Sequence, residues 1–317
     1  MREFIKEQEF QTQINDTVMP YLAQRAEVLS VTAHDGEALY AVKYTADHPR
    51  GTVVLVHGFS ENADKYREFI YYLLQEGLSV LVYDQRGHGR SAREVGADVI
   101  HIDRFCHYVE DLEAVLAAPC AKLTPPLYLF AHSMGGAIAM LFLEKHRGVF
   151  KKAILSAPMI SLQYRGLTRV GALALCRACT LLGHGKQPIF LAKRDYENEN
   201  FANSSSLSPA RFSYLHTSRN SHPLLRSGSP SYQWSHAALG VTKQILKKKA
   251  LAGTTLPILI YAAEHEHLVS SEAQKRLAAA LPHCTLKTVW GSKHEILFAN
   301  DEILHPVLEE MLDFYNS

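Results

Sequence analysis

The stretch LYLFAHSMGG, residues 127–136, places Ser133 between an apolar run typical of a buried strand and the start of a predicted helix. A serine on such a sharp turn projects its hydroxyl above the sheet, and small residues two positions before and after it let the chain turn. Those positions hold Ala131 and Gly135, whereas the usual G-x-S-x-G pattern has glycine at both. A buried serine that merely caps a helix does not need this strand–turn–helix setting, so we predict that Ser133 is a nucleophile.

Strand-like and helix-like segments alternate on both sides of this turn. The predicted strands are residues 28–32 and 38–44, joined by an Asp-Gly turn, and residues 52–56, 79–83, 127–130, 153–155, 257–262 and 286–289. The predicted helices are residues 65–75, 104–117, 135–144, 271–280 and 303–315. This alternation favours an α/β fold with a mostly parallel central sheet and helices on both faces.

The alternation stops after residue 157. From 158 to about 230 the chain shows amphipathic helical patterns, one of them over 166–183, and a polar stretch without buried strands. We therefore predict one α/β core in two parts, residues 1–157 and 231–317, split by a mostly helical cap, residues 158–230. An insertion of this size is expected to cover a site, because insertions are where sites acquire specificity.

A serine hydroxyl is a weak nucleophile unless a base takes its proton, and the chain offers 17 histidines as candidates. On an α/β scaffold of this kind the partners follow in the order serine, acid, histidine. His294 lies in the loop after the last predicted strand, where it can face the turn that carries Ser133. We predict His294 to be the base.

The acid is expected in the loop after strand 257–262, where Glu264 and Glu266 compete. One residue and then an apolar pair, Leu268 and Val269, follow Glu266, and this spacing favours it over Glu264 as the group that orients the histidine. The alternation of histidines at 265 and 267 has no matching third ligand cluster, so we predict no metal site.

The turn after strand 52–56 begins with His57, Gly58 and Phe59. Such a turn can aim a backbone N–H at a developing oxyanion, and the residue after the nucleophile supplies a second N–H. We predict the amides of Phe59 and Met134 as the oxyanion hole and a structural role for His57.

Composition limits the function classes. The chain has 317 residues, with 33 Lys and Arg against 32 Asp and Glu and a net charge of +1. A phosphate-backbone binder needs a basic field, so we expect no nucleic-acid partner.

Charged residues among the first ten exclude an apolar secretory core there, and five scattered cysteines suit reduced thiols, so we expect a cytoplasmic protein. The predicted chemistry needs no cofactor, and we expect none.

Together these motifs resemble the α/β-hydrolase family, and more narrowly its bacterial lysophospholipases and monoacylglycerol lipases. The resemblance covers nearly the whole chain and rests on residues 56–59 (VHGF), 84–91 (DQRGHGRS), 131–136 (AHSMGG), 156–159 (SAPM) and 293–296 (KHEI). Residues 104–112, residues 228–234 and a glutamate at position 266 are particularly similar to the bacterial lysophospholipases.

The resemblance implies an α/β-hydrolase fold with a helical cap, and a serine carboxylester hydrolase that cleaves a single-chain lipid ester through an acyl-enzyme. A cap of this kind lines an acyl pocket or lies on a bilayer, so we expect peripheral contact with the inner face of a membrane. A peptidase or thioesterase on the same scaffold is one alternative, since the fold does not fix the acyl substrate. A non-catalytic binding relative is another.

Overall fold

Strand β3 (Thr52–Val56) lies in the middle of the sheet, and all five of its residues are buried. Its continuous run of valines and a leucine is typical of a parallel strand that is covered on both faces. The computed structural model describes residues 2–163, 168–189 and 199–317. The first two residues of the predicted 166–183 helix, 166 and 167, lie outside the described residues.

Every strand and helix predicted for the core is present, but the helical segments over residues 10–23 and 232–252 and the two-residue strands were not predicted. The described strands are β1 (Ala26–Thr32), β2 (Ala38–Tyr44), β3, β4 (Ser79–Tyr83), β5 (Val99–Ile100), β6 (Leu127–His132), β7 (Lys152–Ser156), β8 (Ser229–Pro230), β9 (Ile258–His265) and β10 (Cys284–Lys293). The described helices are α1 (Phe10–Gln13), α2 (Met19–Ala23), α3 (Arg67–Gln75), α4 (Cys106–Ala117), α5 (Met134–Lys145), α6 (Arg169–Cys179), α7 (Pro209–Ser221), α8 (Tyr232–Ile245), α9 (Lys248–Ala252), α10 (Ser271–Ala280) and α11 (Asp301–Asn316). Single turns of 3₁₀- or π-helix are Glu7–Glu9, Ile14–Val18, Ala63–Tyr66, Thr180–His184, Phe201–Asn203, Pro223–Leu225 and Ile296–Phe298.

Eight strands form one sheet in the order β1-β2-β4-β3-β6-β7-β9-β10. The pairs β1/β2 and β2/β4 are antiparallel, and every other neighbouring pair is parallel. The chain runs from β3 outward to β4 and then returns to the other side of β3 with β6. The carboxyl ends of β3 and β6 therefore meet at a topological switch point, which is where open α/β sheets bind their ligands.

An apolar core lies on each face of the sheet. One includes the inward faces of α4, α5, α8 and α10, and the other includes α3, α11 and the N-terminal segment. The sheet is thus covered on both sides, as the alternation of elements predicts, and the predicted fold class is confirmed.

The N-terminal segment has a periodic apolar pattern. Phe10, Ile14, Val18 and Leu22 recur every four residues, and all four side chains are buried against the second core. This spacing places them on one helical face, which explains why α1, the π-helical turn after it and α2 follow one another without a break.

No helix among the described residues is both long and apolar enough to cross a membrane.

Candidate active site

Ser133 lies on the turn between β6 and α5 with φ 50° and ψ −117°, a backbone conformation that is rare for a residue with a Cβ atom. Two hydrogen bonds hold it there: its N–H donates to the carbonyl of Ser156 at 3.0 Å, and the N–H of Met159 donates to its carbonyl at 2.8 Å. Both partners lie at or just after the end of the neighbouring strand β7. The sheet itself therefore maintains the strained turn.

Gly135 and Gly136 are needed because other backbone segments approach them closely. A Cβ atom on Gly135 would lie 2.1 Å from the carbonyl oxygen of Val56, and one on Gly136 would lie 2.4 Å from the Cβ of Pro158. Ala131 lies on the strand side of the turn, where it is fully buried and its methyl group is accommodated. The departure from the usual glycine at this position is thus compatible with the turn.

The structure brings Ser133, His294 and Glu266 into one hydrogen-bonded chain. His294 Nε2 lies 2.9 Å from Ser133 Oγ, and His294 Nδ1 lies 2.7 Å from Glu266 Oε2. Strand β10 is longer than predicted and continues to Lys293, so His294 is the first residue after the strand. This geometry can pass a proton from the hydroxyl to the imidazole while the carboxylate orients the ring.

The two candidate glutamates lie in different surroundings. Glu266 is buried, and its other oxygen accepts the N–H groups of Leu268 at 2.8 Å and Val269 at 3.3 Å. Glu264 is exposed and accepts the N–H of Gly291. The apolar pair that favoured Glu266 in the sequence thus marks the turn whose amides hold that carboxylate.

Within this hydrogen-bonded triad, the pKa values of Glu266 and His294 shift in directions that stabilise both charged forms. Burial raises the pKa of Glu266, but the hydrogen bond and charge of His294 and the two loop amides lower it more, so that the net pKa is below its usual value. Burial lowers the pKa of His294, yet Glu266, with smaller contributions from Glu295 and Glu61, raises it above its usual value. Glu266 therefore favours the imidazolium that would form when Ser133 loses its proton.

The predicted oxyanion donors, the amides of Phe59 and Met134, follow β3 and β6, which are neighbours in the sheet. Among the described residues neither amide has a hydrogen-bond acceptor. The preceding amide of Gly58 does have one, since it donates to Glu61 Oε2 at 2.8 Å. The phenyl ring of Phe59 packs against Trp234 with ring centroids 4.3 Å apart.

His57 and the 84–91 motif support this loop. His57 is fully buried, its Nε2 accepts the N–H of Gln85 at 2.9 Å, and burial lowers its pKa to about 4. The Asp84 carboxylate accepts the N–H groups of Ala63 at 2.7 Å and Arg90 at 2.8 Å. Both residues bind backbone next to the site and not the nucleophile.

A cavity of about 900 Å³ opens at Ser133 and lies between the carboxyl edge of the sheet and helices α6, α7 and α8. Its apolar wall comes from α6, α8 and two loops, and includes Ala172, Leu175, Leu239, Met159, Leu162 and Leu268. Its polar wall comes from α7, the 199–206 segment and the loops after β3 and β10, and includes Asn62, Ser204, Ser206, Arg219 and Glu295. A cavity of this size and character suits a ligand with a long apolar part and a small polar part.

Three clusters of described residues have ligand atoms close enough together for a metal ion, namely Cys106–His107–Glu110, Glu94–His101–Asp103 and Glu61–His132–Glu295. Only the third adjoins the site. Lys65 donates hydrogen bonds to both of its carboxylates, so a cationic group of the protein already lies between them. This third cluster and its lysine were not predicted, although Glu61 and Lys65 have the four-residue spacing of a helical ion pair.

Comparison with known proteins identifies the family. The family model Hydrolase_4, described as "Serine aminopeptidase, S33", matches residues 47–301. The chain belongs to the Hydrolase_4 family. Membership of Hydrolase_4 makes the chain a serine hydrolase, as the sequence analysis predicts.

Curated relatives match most of this Hydrolase_4 chain, and two of them are as follows. The "Probable lysophospholipase L2" of Haemophilus influenzae is 29% identical over 269 residues, which cover 84% of each chain. "Lysophospholipase L2" of Escherichia coli is 29% identical over 317 residues, which cover 87% of this chain and 83% of the relative.

A solved structure confirms the α/β-hydrolase fold of this Hydrolase_4 member. It is that of a soluble variant of monoglyceride lipase from Saccharomyces cerevisiae in complex with a substrate analog. It superimposes with a TM-score of 0.72 at 19% identity and covers 92% of this chain and 94% of its own.

Proposed function

We propose that this protein is a serine carboxylester hydrolase that cleaves a single-chain lipid ester, a lysophospholipid or a monoacylglycerol, through an acyl-enzyme. The observation that carries the proposal is the hydrogen-bonded chain Ser133–His294–Glu266 at the mouth of a cavity of about 900 Å³ with an apolar wall. The names of the two curated relatives, lysophospholipases that match more than four fifths of the chain, support the substrate class.

In the proposed reaction His294 takes the proton of Ser133 as the hydroxyl attacks the ester carbonyl, and Glu266 stabilises the imidazolium. The amides of Phe59 and Met134 hold the oxyanion, a contribution of roughly 3 kcal/mol per donor in the transition state. His294 then protonates the leaving glycerol or glycerophospho-alcohol, and water attacks the acyl-enzyme by the reverse steps. No step requires a metal or a cofactor.

The substrate would be held by the cap, residues 158–230, together with the neighbouring helix α8, and the flanking parts would carry the catalytic residues. The acyl chain would lie along the apolar wall formed by α6 and α8. The head group would face the serines and asparagines of the polar wall.

We further propose that α6 and the turn after it contact a membrane surface. Val170, Leu181 and Leu182 are 75%, 76% and 74% exposed, and Leu175 on the same helix is half-exposed and also lines the cavity. The exposed apolar surface is thus continuous with the wall of the cavity, which would let a lipid leave the bilayer without crossing water. We place this contact at the inner, cytoplasmic face of a membrane, and we propose no nucleic-acid partner.

A substrate panel tests the proposed function. Turnover of a lysophospholipid, a monoacylglycerol, an aminoacyl amide and an acyl-CoA is measured for the wild type, for Ser133→Ala and for the matched control Ser30→Ala. Ser30 is an exposed serine on β1. We expect one of the two lipid esters to be the best substrate, and Ser133→Ala to lose at least about a thousandfold in rate while Ser30→Ala loses nothing.

Near-normal ester hydrolysis by folded Ser133→Ala would contradict the proposed nucleophile. Failure of a fluorophosphonate to label wild-type Ser133 would favour a non-catalytic binding protein. The family description favours a second candidate, an aminopeptidase, and preferred turnover of the aminoacyl amide would replace the lipid ester with it.

A further inference from the structure

Three buried or half-buried charged side chains, Glu61, Lys65 and Glu295, form a network beside the triad that no step of the proposed reaction uses. We call these three residues the charged cluster. The side chains of Glu61 and Lys65 are 7% and 6% exposed, and that of Glu295 is 24% exposed. Burying charged groups to this extent costs free energy unless they are paired, so their presence next to the site calls for an explanation.

Lys65 joins the two carboxylates. Its Nζ donates to Glu61 Oε1 at 2.6 Å and to Glu295 Oε2. The other oxygen of Glu61 accepts the hydroxyl of Tyr66 at 2.6 Å and the N–H of Gly58 at 2.8 Å. The cluster is therefore bonded to the backbone of the loop that presents the Phe59 amide.

The cluster also adjoins the nucleophile and the base. Glu295 follows His294 directly, and His132 precedes Ser133. His132 Nε2 lies 3.4 Å from Glu61 Oε1 and 3.5 Å from Glu295 Oε2, and its ring centroid lies 5.0 Å from that of His294. One set of charges thus contacts the segments that carry the oxyanion donor, the nucleophile and the base, which are far apart in the chain.

All three members are charged. Burial disfavours the charged forms, but Lys65 holds the pKa values of Glu61 and Glu295 below their usual range, and the two carboxylates hold the pKa of Lys65 above its own. Two carboxylates and one ammonium leave one negative charge close to His294. This charge acts in the same direction as Glu266, since Glu295 and Glu61 both raise the pKa of His294.

We propose that Glu61, Lys65 and Glu295 are positioning residues of the proposed serine hydrolase: Glu61 fixes the oxyanion loop through Gly58, and the net charge of the cluster makes His294 ready to accept the serine proton. The inference rests on the proposed function but not on the class of lipid. A water-soluble p-nitrophenyl ester is therefore a sufficient probe.

The charge of the cluster is tested by the acid limb of kcat/KM against pH, which reports the pKa of the base in the free enzyme. The groups that face His294 are Glu266 after β9, His132 at the end of β6, Glu61 and Lys65 after β3, and Glu295 on its own segment. Glu295→Gln removes a negative charge, which disfavours the imidazolium, so the acid limb moves to lower pH. Lys65→Met removes a positive charge, so the limb moves to higher pH. We expect each shift to be on the order of one pH unit.

The matched controls are Glu113→Gln and Lys145→Met, which remove the same charges from an ion pair with an N–O distance of 2.7 Å that is separate from the cluster. Neither control should move the limb. Shifts of opposite sign for Glu295→Gln and Lys65→Met support the proposal, because a merely structural role would lower activity without this sign reversal. Shifts of the same sign, or no shift in either variant, overturn it.

Two further variants keep the test decisive if a single variant does not fold. Glu61→Gln removes the same charge as Glu295→Gln and should move the limb in the same direction. The double variant Lys65→Met/Glu295→Gln leaves the net charge of the cluster unchanged, so its limb should stay at the wild-type position. A double variant whose limb shifts as far as that of Glu295→Gln would overturn the proposed role of charge.

The contact of Glu61 with the oxyanion loop is tested separately. Glu61→Leu leaves the Gly58 N–H without its acceptor, and we expect kcat to fall on the order of 10- to 100-fold with little change in KM. Glu61→Gln keeps an acceptor oxygen and should restore most of kcat at the optimum pH of each variant. Equal kcat in folded Glu61→Leu and wild type would overturn this role.

These outcomes are separate from those of the proposed function. A wild-type protein that hydrolyses no ester refutes the function itself, whereas an active wild type with unaffected cluster variants refutes only the positioning role.

Discussion

The two helical arms of the predicted cap, α6 and α7, are held in opposite ways. Helix α7 is tied to the core by charge: Arg211 is fully buried and donates to both oxygens of Glu68 at 2.8 Å, to Asp301 at 3.0 Å and to the carbonyl of Ile5 at 3.2 Å. Helix α6 has one buried residue, Cys176, and packs mainly on α8.

This difference implies that the two helices of the predicted cap have different roles. The α7 arm is bonded to the part of the fold that contains the sheet, since its anchors reach α3, α11 and the N-terminal segment. The α6 arm carries its apolar residues outward and forms part of the apolar cavity wall. We therefore expect α7 to report on the stability of the whole protein and α6 to report on contact with lipid.

The largest effect is expected from Arg211→Met. The substitution leaves the carboxylates of Glu68 and Asp301 without their buried cation, and the loss of one partner from such a pair costs about 3–5 kcal/mol. The free energy of unfolding measured in urea should fall by this amount. Arg177→Met, at an exposed arginine of α6, is the control and should change it by less than about 0.5 kcal/mol. Equal losses in the two variants would contradict the comparison.

An intermediate effect is expected from removing the N-cap of each helix. Ser208 Oγ accepts the N–H of Arg211 at 3.2 Å and donates to Glu7 at 2.6 Å, whereas Thr168 Oγ1 accepts the N–H of Gly171 at 3.1 Å. Ser208→Ala should cost roughly 1–2 kcal/mol of global stability. Thr168→Ala should raise amide hydrogen exchange within α6 and leave the global unfolding midpoint nearly unchanged, because α6 can open locally. A larger midpoint change for Thr168→Ala would reverse the assignment of the two arms.

The smallest effect on stability, with a clear effect on binding, is expected from Leu181→Ser/Leu182→Ser. Both leucines are exposed, so unfolding should change by less than about 0.5 kcal/mol. Co-sedimentation with phospholipid vesicles should weaken, because each leucine contributes its transfer free energy only at the membrane. Val28→Ser, at a residue 63% exposed on β1, is the matched control and should bind vesicles like the wild type. Unchanged binding of the double variant would refute the membrane contact through α6.

Local patterns predicted the core well. Strands β3 and β4 and helix α10 begin and end at the predicted residues, since each is an uninterrupted periodic run with clear turn residues on both sides. Boundaries differed where the tertiary structure extends an element. Strand β10 continues past Val289 through an irregular register beside β9, and no local signal at Gly291 indicates this pairing.

The sequence predicted those members of the candidate site that directly follow a strand and occur in the order serine, acid, histidine. Ser133, His294 and Glu266 lie at such ends, and their roles stay proposals. The charged cluster could not be predicted, because it forms only through the contact of Glu295 with Lys65, which lies 230 positions earlier in the chain. In a sequence, a lysine and a glutamate in separate loops look like ordinary solvent-exposed charges. Only the fold shows that these two are buried and paired.

The sequence by itself determined the alternation of strands and helices, the sharp turn at Ser133 and the interruption after residue 157, because each depends on neighbouring residues and backbone sterics. Only the tertiary structure decided which end of the predicted cap is anchored, and that charges from the segments after β3 and β10 meet beside the triad. Those outcomes depend on which distant groups share a buried, low-dielectric space, and pairing across such distances exists only once the sheet has formed.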